Sequence, residues 1–130
     1  MKTIYLCGPI NGRTDADCKN WREEAKKLWV GQTLDPMRRD YRGREGDCVA
    51  EIVRGDLEDI QDSDAFLTYF DKPSVGTSME VFYAKHVLGI PVVVVSSSDG
   101  PLSPWLIYHS DHIVKTLPEA IEKLSQLLGA

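Results

Sequence analysis

Ile90-Pro91-Val92-Val93-Val94-Val95 decides the fold. Four valines in a row leave no polar face, and branching at Cβ suits a pleated strand. A strand without a polar face must be covered on both sides, which is the pattern of a parallel strand inside an α/β sheet. The neighbouring segments supply the cover. Gly76–Leu88 reads as a helix stopped by Gly89. After the valines, Ser96–Pro104 is a polar turn, a short helical piece can follow, and His112–Val114 makes a minimal further strand. Thr116 and Glu119 form a capping box around Pro118 at the first helical position, and Ala120, Ile121, Leu124 and Leu128 give the last helix its apolar face.

Toward the amino end the same alternation repeats. Asp64–Phe70 reads as a strand and Asp71–Val75 as a loop. Asp47–Gln61 is a helix with Val49, Ile52, Val53, Leu57 and Ile60 inward, preceded by a polar, arginine-rich loop, Pro36–Gly46. Thr33–Asp35 leaves room for a brief strand only. A helix from about Asp15 carries Cys18, Trp21, Ala25, Leu28 and Trp29 as one stripe and stops at Gly31. Lys2–Cys7, closed by Gly8-Pro9, is a buried first strand. Strand and helix alternate without repeats or low-complexity linkers. The expected fold is α/β: one domain over residues 1–130, a doubly wound parallel five-stranded sheet with helices on both faces, in flavodoxin-like or Rossmann-like order. Ligands in such folds bind beyond the carboxyl ends of the strands. That places any chemistry in Gly8–Arg13, Pro36–Gly46, Asp71–Glu80 and Ser96–Ser103.

Composition narrows the partners. The 130 residues are 42% hydrophobic, enough for one core, and 15 Lys and Arg stand against 20 Asp and Glu for a formal charge of −5. An acidic chain lacks the basic face that polymeric nucleic acid or an anionic membrane would need. No apolar run approaches the roughly 20 residues of a membrane span, and Ile4–Cys7 is too short for a signal peptide. Cys7, Cys18 and Cys48 are an odd number without metal-site spacing, so they read as free thiols in a reducing cytoplasm.

Several residues are ones the fold does not require. Asp56 lies three after Val53 and seven after Val49, on the apolar stripe of its helix, where a carboxylate is costly unless paired. It either sits at the edge of that stripe and reaches water or a backbone amide, or it serves a site. Glu80 falls early in the helix opened by Val75-Gly76-Thr77-Ser78, where the helix dipole favours its ionised form. It is either an ordinary helix-stabilising glutamate or a positioned carboxylate of the kind a glycosidic nucleophile requires. Gly76, just before it, would let a ligand approach the backbone closely. Gly8-Pro9-Ile10-Asn11-Gly12 follows the first strand but matches neither the dinucleotide nor the Walker fingerprint, so it is a plain turn or a sugar-binding loop. Arg38, Arg39, Arg42 and Arg44 suit phosphate or simply a solvated loop. His109 and His112 have HxxH spacing without a third ligand, which gives no metal site.

Taken together these residues resemble a known family. Ile4-Tyr5-Leu6-Cys7-Gly8-Pro9-Ile10, Asp56-Leu57 with Asp64-Ala65, and Ser74-Val75-Gly76-Thr77-Ser78-Met79-Glu80 resemble, in order and spacing, the nucleoside 2-deoxyribosyltransferase family. The site pattern is closest to its branch of 2′-deoxynucleoside 5′-monophosphate N-glycosidases, and the resemblance runs from Ile4 to about Val114. It implies that Glu80 attacks C1′ and forms a covalent glycosyl-enzyme. It also implies that Asp56 holds the sugar hydroxyls and helps orient or protonate the reacting groups, and that Tyr5 positions the nucleophile. Transferases on free nucleosides tend to carry an aspartate where this chain has Ser74. A serine there resembles the monophosphate hydrolases, whose serine contacts the 5′-phosphate. Ser103 looks like a second phosphate serine, supplied in that branch by a neighbouring subunit. The chain departs from the hydrolases at Pro9, where a serine is usual, and at Asn11, where an arginine is usual; Arg38 or Arg39 could replace that charge.

The reading is therefore hydrolysis of a (deoxy)nucleoside 5′-monophosphate to free base and sugar phosphate. Expected catalytic residues are Glu80, Asp56 and Tyr5; expected substrate-binding residues are Gly8, Asn11, Arg38, Arg39, Ser74, Gly76 and Ser103. No cofactor and no metal are expected. The protein is expected to be a cytoplasmic homodimer or higher homo-oligomer with shared active sites. Two alternatives stay open: base exchange on free 2′-deoxynucleosides, and a non-catalytic nucleotide sensor.

Overall fold

The valine run is a strand, Val92–Val95 (β4), and all four of its residues are buried. It belongs to a sheet with Thr3–Cys7 (β1), Gln32–Leu34 (β2), Ala65–Tyr69 (β3) and His112–Val114 (β5), every neighbouring pair parallel, in the order β2-β1-β3-β4-β5. This computed structural model describes residues 1–10 and 12–130; Asn11, expected to bind substrate, lies outside the described residues.

Alternation along each strand divides the core in two. Ile4, Leu6, Ala65, Leu67, Val93 and Val95 face helices Asp15–Leu28 (α1) and Leu117–Leu128 (α5) through Trp21, Ala25, Leu117, Ala120 and Leu124. Tyr5, Cys7, Phe66, Val92 and Val94 face the other three helices, Val49–Gln61 (α2), Val75–Phe82 (α3) and Pro104–Tyr108 (α4), through Ile60, Val81 and Leu106, with Ala84 from the turn after α3. The sheet is doubly wound, as expected. Winding reverses between β1 and β3, so the crevice for a ligand opens beyond the carboxyl ends of those two strands.

Several local expectations need correction. Val49 and Val53 are 60% and 51% exposed, so the inward stripe of α2 is narrower than its apolar residues imply. Its buried face is made by Asp59 and Ile60, because Ile52, Val53, Asp56 and Leu57 in its middle line a cavity instead of packing on the sheet. α2 also begins at Val49, after a 3-10 turn at Glu45–Asp47. Leu28 is 39% exposed at the end of α1. Gly31 does not stop that helix, whose cap is Trp29. Gly31 is there because a Cβ would collide with the Lys2 carbonyl oxygen at 2.1 Å. α3 starts at Val75, one residue early, and its expected tail is a π-helical turn, Tyr83–Leu88, closed by Gly89 at φ 72°. Thr116 caps α5 by accepting from the Glu119 amide at 3.3 Å, with Leu117 rather than Pro118 first in the helix. Among the described residues no helix is long and apolar enough to cross a membrane.

Candidate active site

Tyr5 is central in β1 and fully buried against Phe66, with ring centroids 5.4 Å apart. Alternation points its ring at α2 and α3, and its hydroxyl donates to Glu80 Oε1 at 2.8 Å. That bond fixes the carboxylate of a helix residue over the sheet's switch point. Asp56, one helix away, carries the second carboxyl of the pair. The three residues line a cavity of about 1090 Å³ together with Gly8, Ser74, Gly76 and Ser103. Seven of the ten expected site residues thus share one cavity.

The electrostatics differ from expectation. Glu80 is the sixth residue of α3, past the first turn, where the dipole has little hold. Burial and the neighbouring charge of Asp56 push its pKa up to about 7, against the pull of the Tyr5 hydroxyl and the Cys7 thiol. Asp56 is also raised, chiefly by burial, with the Arg39 charge opposing. Two neighbouring carboxyls do not both ionise readily, so the pair keeps a proton to higher pH than a lone carboxyl would. Burial, then the charge of Glu80, keeps the Tyr5 hydroxyl well above its ordinary range and therefore a donor. Burial does the same for Cys7, which stays a thiol and no nucleophile.

Ser74 is the N-cap of α3, its Oγ accepting from the Thr77 amide at 3.2 Å. Gly76 follows with nothing within 4 Å of a Cβ placed on it, so the fold does not itself demand glycine there. Ser103 caps α4, accepting from the Trp105 amide at 3.2 Å, and lines the cavity of its own chain. Arg38 and Arg39 are not in the cavity wall. Both are engaged by buried Asp59: Arg38 through Nη1 at 2.8 Å and Nη2 at 2.7 Å, Arg39 through Nη2 at 2.7 Å. That aspartate holds both guanidinium groups outside the cavity lining. His109 donates from Nδ1 to the Trp105 carbonyl at 2.6 Å, and among the described residues no cluster of three or more His, Cys, Asp and Glu could hold a metal ion.

One supporting residue escaped the sequence reading. Arg22 is fully buried, donating to the carbonyls of Cys18 at 2.6 Å and Gly8 at 3.1 Å, with Nε 3.3 Å from Asp35. It ties the loop after β1 to the loop after β2, on which Arg39 stands. Its position gives the signal: it follows Cys18 by four residues and precedes Trp29 by seven, on the buried stripe of α1.

Neither a protein-family model nor a curated protein matches the sequence. Solved structures do match its shape. A 2-deoxyribosyltransferase from Leishmania mexicana superposes with a TM-score of 0.75 at 19% identity, over 97% of this chain and 98% of the other. A 2-deoxyribosyltransferase from Bacillus psychrosaccharolyticus gives 0.75 at 16% identity, over 90% and 88%. The CMP N-glycosidase BcmB from Clostridium botulinum gives 0.60 at 17% identity, over 95% and 99%. At such identities the comparison speaks for the fold, and function must come from the site. This chain has the α/β fold of the 2-deoxyribosyltransferases.

Proposed function

We propose that this protein hydrolyses the N-glycosidic bond of a (deoxy)nucleoside 5′-monophosphate, using its own side chains without metal or organic cofactor. The observation that carries the reading is the 2.8 Å bond from buried Tyr5 to Glu80, beside Asp56, in the wall of a cavity of about 1090 Å³. A carboxyl pair holding one proton supplies both groups that retaining glycosidic chemistry needs. The proton moves to Asp56 as Glu80 ionises. Glu80 Oε then bonds to C1′ while the C1′–N bond breaks. The electron pair of that bond stays on the base nitrogen, which takes the proton from Asp56. A water oxygen next attacks C1′, its proton passes to Asp56, and the ester bond to Glu80 breaks. Free base, sugar phosphate and the starting pair result. Charge building up on the sugar is stabilised by the adjacent carboxylate.

Ser74, Gly76 and the amide end of α3 support a 5′-phosphate at this place, since helix amino ends and serine hydroxyls favour anions. Ser103 faces the same space from α4. A second reading, base exchange on free 2′-deoxynucleosides, would use the same arrangement of Tyr5, Glu80 and Asp56 with an acceptor base in place of water. The test is a panel of nucleosides and their monophosphates, each with and without an acceptor base. We expect base release from monophosphates, no dependence on acceptor, and loss of nearly all turnover in Glu80→Gln, because an amide forms no glycosyl ester. Exchange that requires an acceptor and ignores monophosphates would establish the transferase instead. Ligand binding without turnover anywhere in the panel would leave only a sensor.

A further inference from the structure

Gly55 is a poor residue for the middle of α2, costing about 1 kcal/mol relative to alanine in a helix. The reason for it is steric. A Cβ at position 55 would stand 3.0, 3.1 and 3.2 Å from Nε, Nη2 and Cζ of Arg39. The guanidinium lies against the bare backbone of the helix, its Nη2 2.7 Å from Asp59 Oδ2 and 3.5 Å from Asp56 Oδ1. Arg38, from the 3-10 turn Pro36–Arg38, takes both oxygens of the same Asp59 and also donates to the Asp35 carbonyl at 3.0 Å. Two cations on one aspartate leave a net positive charge, and Arg39 is the one that reaches Asp56.

We propose that Arg39 is a positioning residue: seated on Gly55 and anchored by Asp59, its guanidinium holds Asp56 as the ionised member of the carboxyl pair and so determines where the pair's proton rests. That makes Glu80 the resting proton carrier, and Asp56 receives the proton only when a ligand displaces this balance. The groups facing the pair are Tyr5 and Cys7 from β1, Arg39 from the loop after β2, Asp59 one turn along α2, and Glu80 with Asp56 themselves. Among these Arg39 is the cation closing on Asp56, and its charge opposes the upward push of burial there. Removing a positive charge makes both ionisations of the pair harder, so both macroscopic steps must move to higher pH. An opposite charge at this range shifts a carboxyl by about 1–3 units. Asp59 shares the guanidinium, so a shift of about one unit is expected.

The consequence for turnover rests on the glycosidase reading, but the charge coupling belongs to the free protein. The experiment is a pH titration of the unliganded protein with carboxyl-13C-labelled Asp and Glu, the two resonances assigned with Asp56→Asn and Glu80→Gln. Arg39→Gln, which keeps a donor for Asp59 and loses the charge, should raise the pair's steps by about one unit. Arg39→Lys should restore most of the shift, and Arg38→Gln, which disturbs the same Asp59, should leave the steps in place. Unmoved steps in Arg39→Gln overturn the proposal. So do equal shifts in Arg38→Gln, which would mean a loosened loop and no specific role for Arg39. If the protein proves to release no base from any substrate, these titrations still read out, so the two failures are distinguishable.

Discussion

Glu80 stands where a fold would choose an apolar residue, and that choice has a thermodynamic signature. Its folded pKa of about 7 lies above its ordinary value of 4.5. Between those two values the unfolded chain releases a proton that the folded chain keeps, so stability falls as pH rises through the window. Below about 4.5 the cost is absent; above about 7 it is complete. Glu80→Gln removes the charge while leaving Tyr5 an oxygen to donate to. The variant should therefore melt above the wild type at pH 8, by on the order of 2 kcal/mol after allowance for partial exposure and coupling to Asp56, and the gap should close toward pH 5. Thermal melts across that range check it, and coincident curves at pH 8 would mean that Glu80 titrates as an ordinary surface carboxyl. A dead enzyme that is a more stable protein is the expected mark of a carboxylate kept for chemistry. At this scale the sequence was partly legible. Asp56 and Glu80 stand out because carboxylates on apolar stripes need a reason, whereas buried Arg22 carries no such mark, because a long charged side chain on a helix usually reaches water.

The elements were legible where packing agrees with local pattern and blurred where it does not. Val92–Val95 could only be a covered strand, and Thr116 with Glu119 could only open a helix. The differences lie at helix ends and on the inward face of α2. Val49 and Val53 carry the helical period of a buried stripe while facing open space, because periodicity reports amphipathicity and says nothing of what lies opposite. α3 starts one residue before the expected Gly76 because Ser74 is its cap as well as a candidate ligand of the substrate. That dual role makes a clean prediction. Aspartate caps helices as well as serine does, so Ser74→Asp should leave the melting temperature within about 0.5 kcal/mol of wild type. Its negative charge should repel a 5′-phosphate, and kcat/KM for monophosphates should fall at least tenfold relative to the matching nucleosides, a change of about 1.4 kcal/mol. Retained monophosphate preference in a stably folded variant would place the phosphate elsewhere in the cavity.

The whole molecule was the most legible level, since alternating strands and helices of this length admit few topologies. Its surface was less so. The cavity runs past α3 and α4 to a rim where Met79, Phe82 and Trp105 are 67%, 40% and 74% exposed. Trp105 and Ile107 therefore do not fold back onto their own core, Ile107 being 53% exposed. Apolar and aromatic side chains gathered at one mouth are the composition of an interface core, and self-association is the expected result. Sedimentation should find the wild type as a homo-oligomer and Trp105→Asp as a folded monomer, since within the chain that ring stacks only on His109, centroids 6.2 Å apart. A monomeric wild type would refute the assembly. Whether assembly also completes the chemistry turns on Ser103, which lines the cavity of its own chain. On that geometry a Glu80→Gln chain mixed with a Ser103→Trp chain should regain no base release, because every cavity then lacks either its carboxylate or its open α4 wall. Recovery in exchanged oligomers would instead assign Ser103 to the neighbouring subunit's site and make the assembled state the catalytic unit.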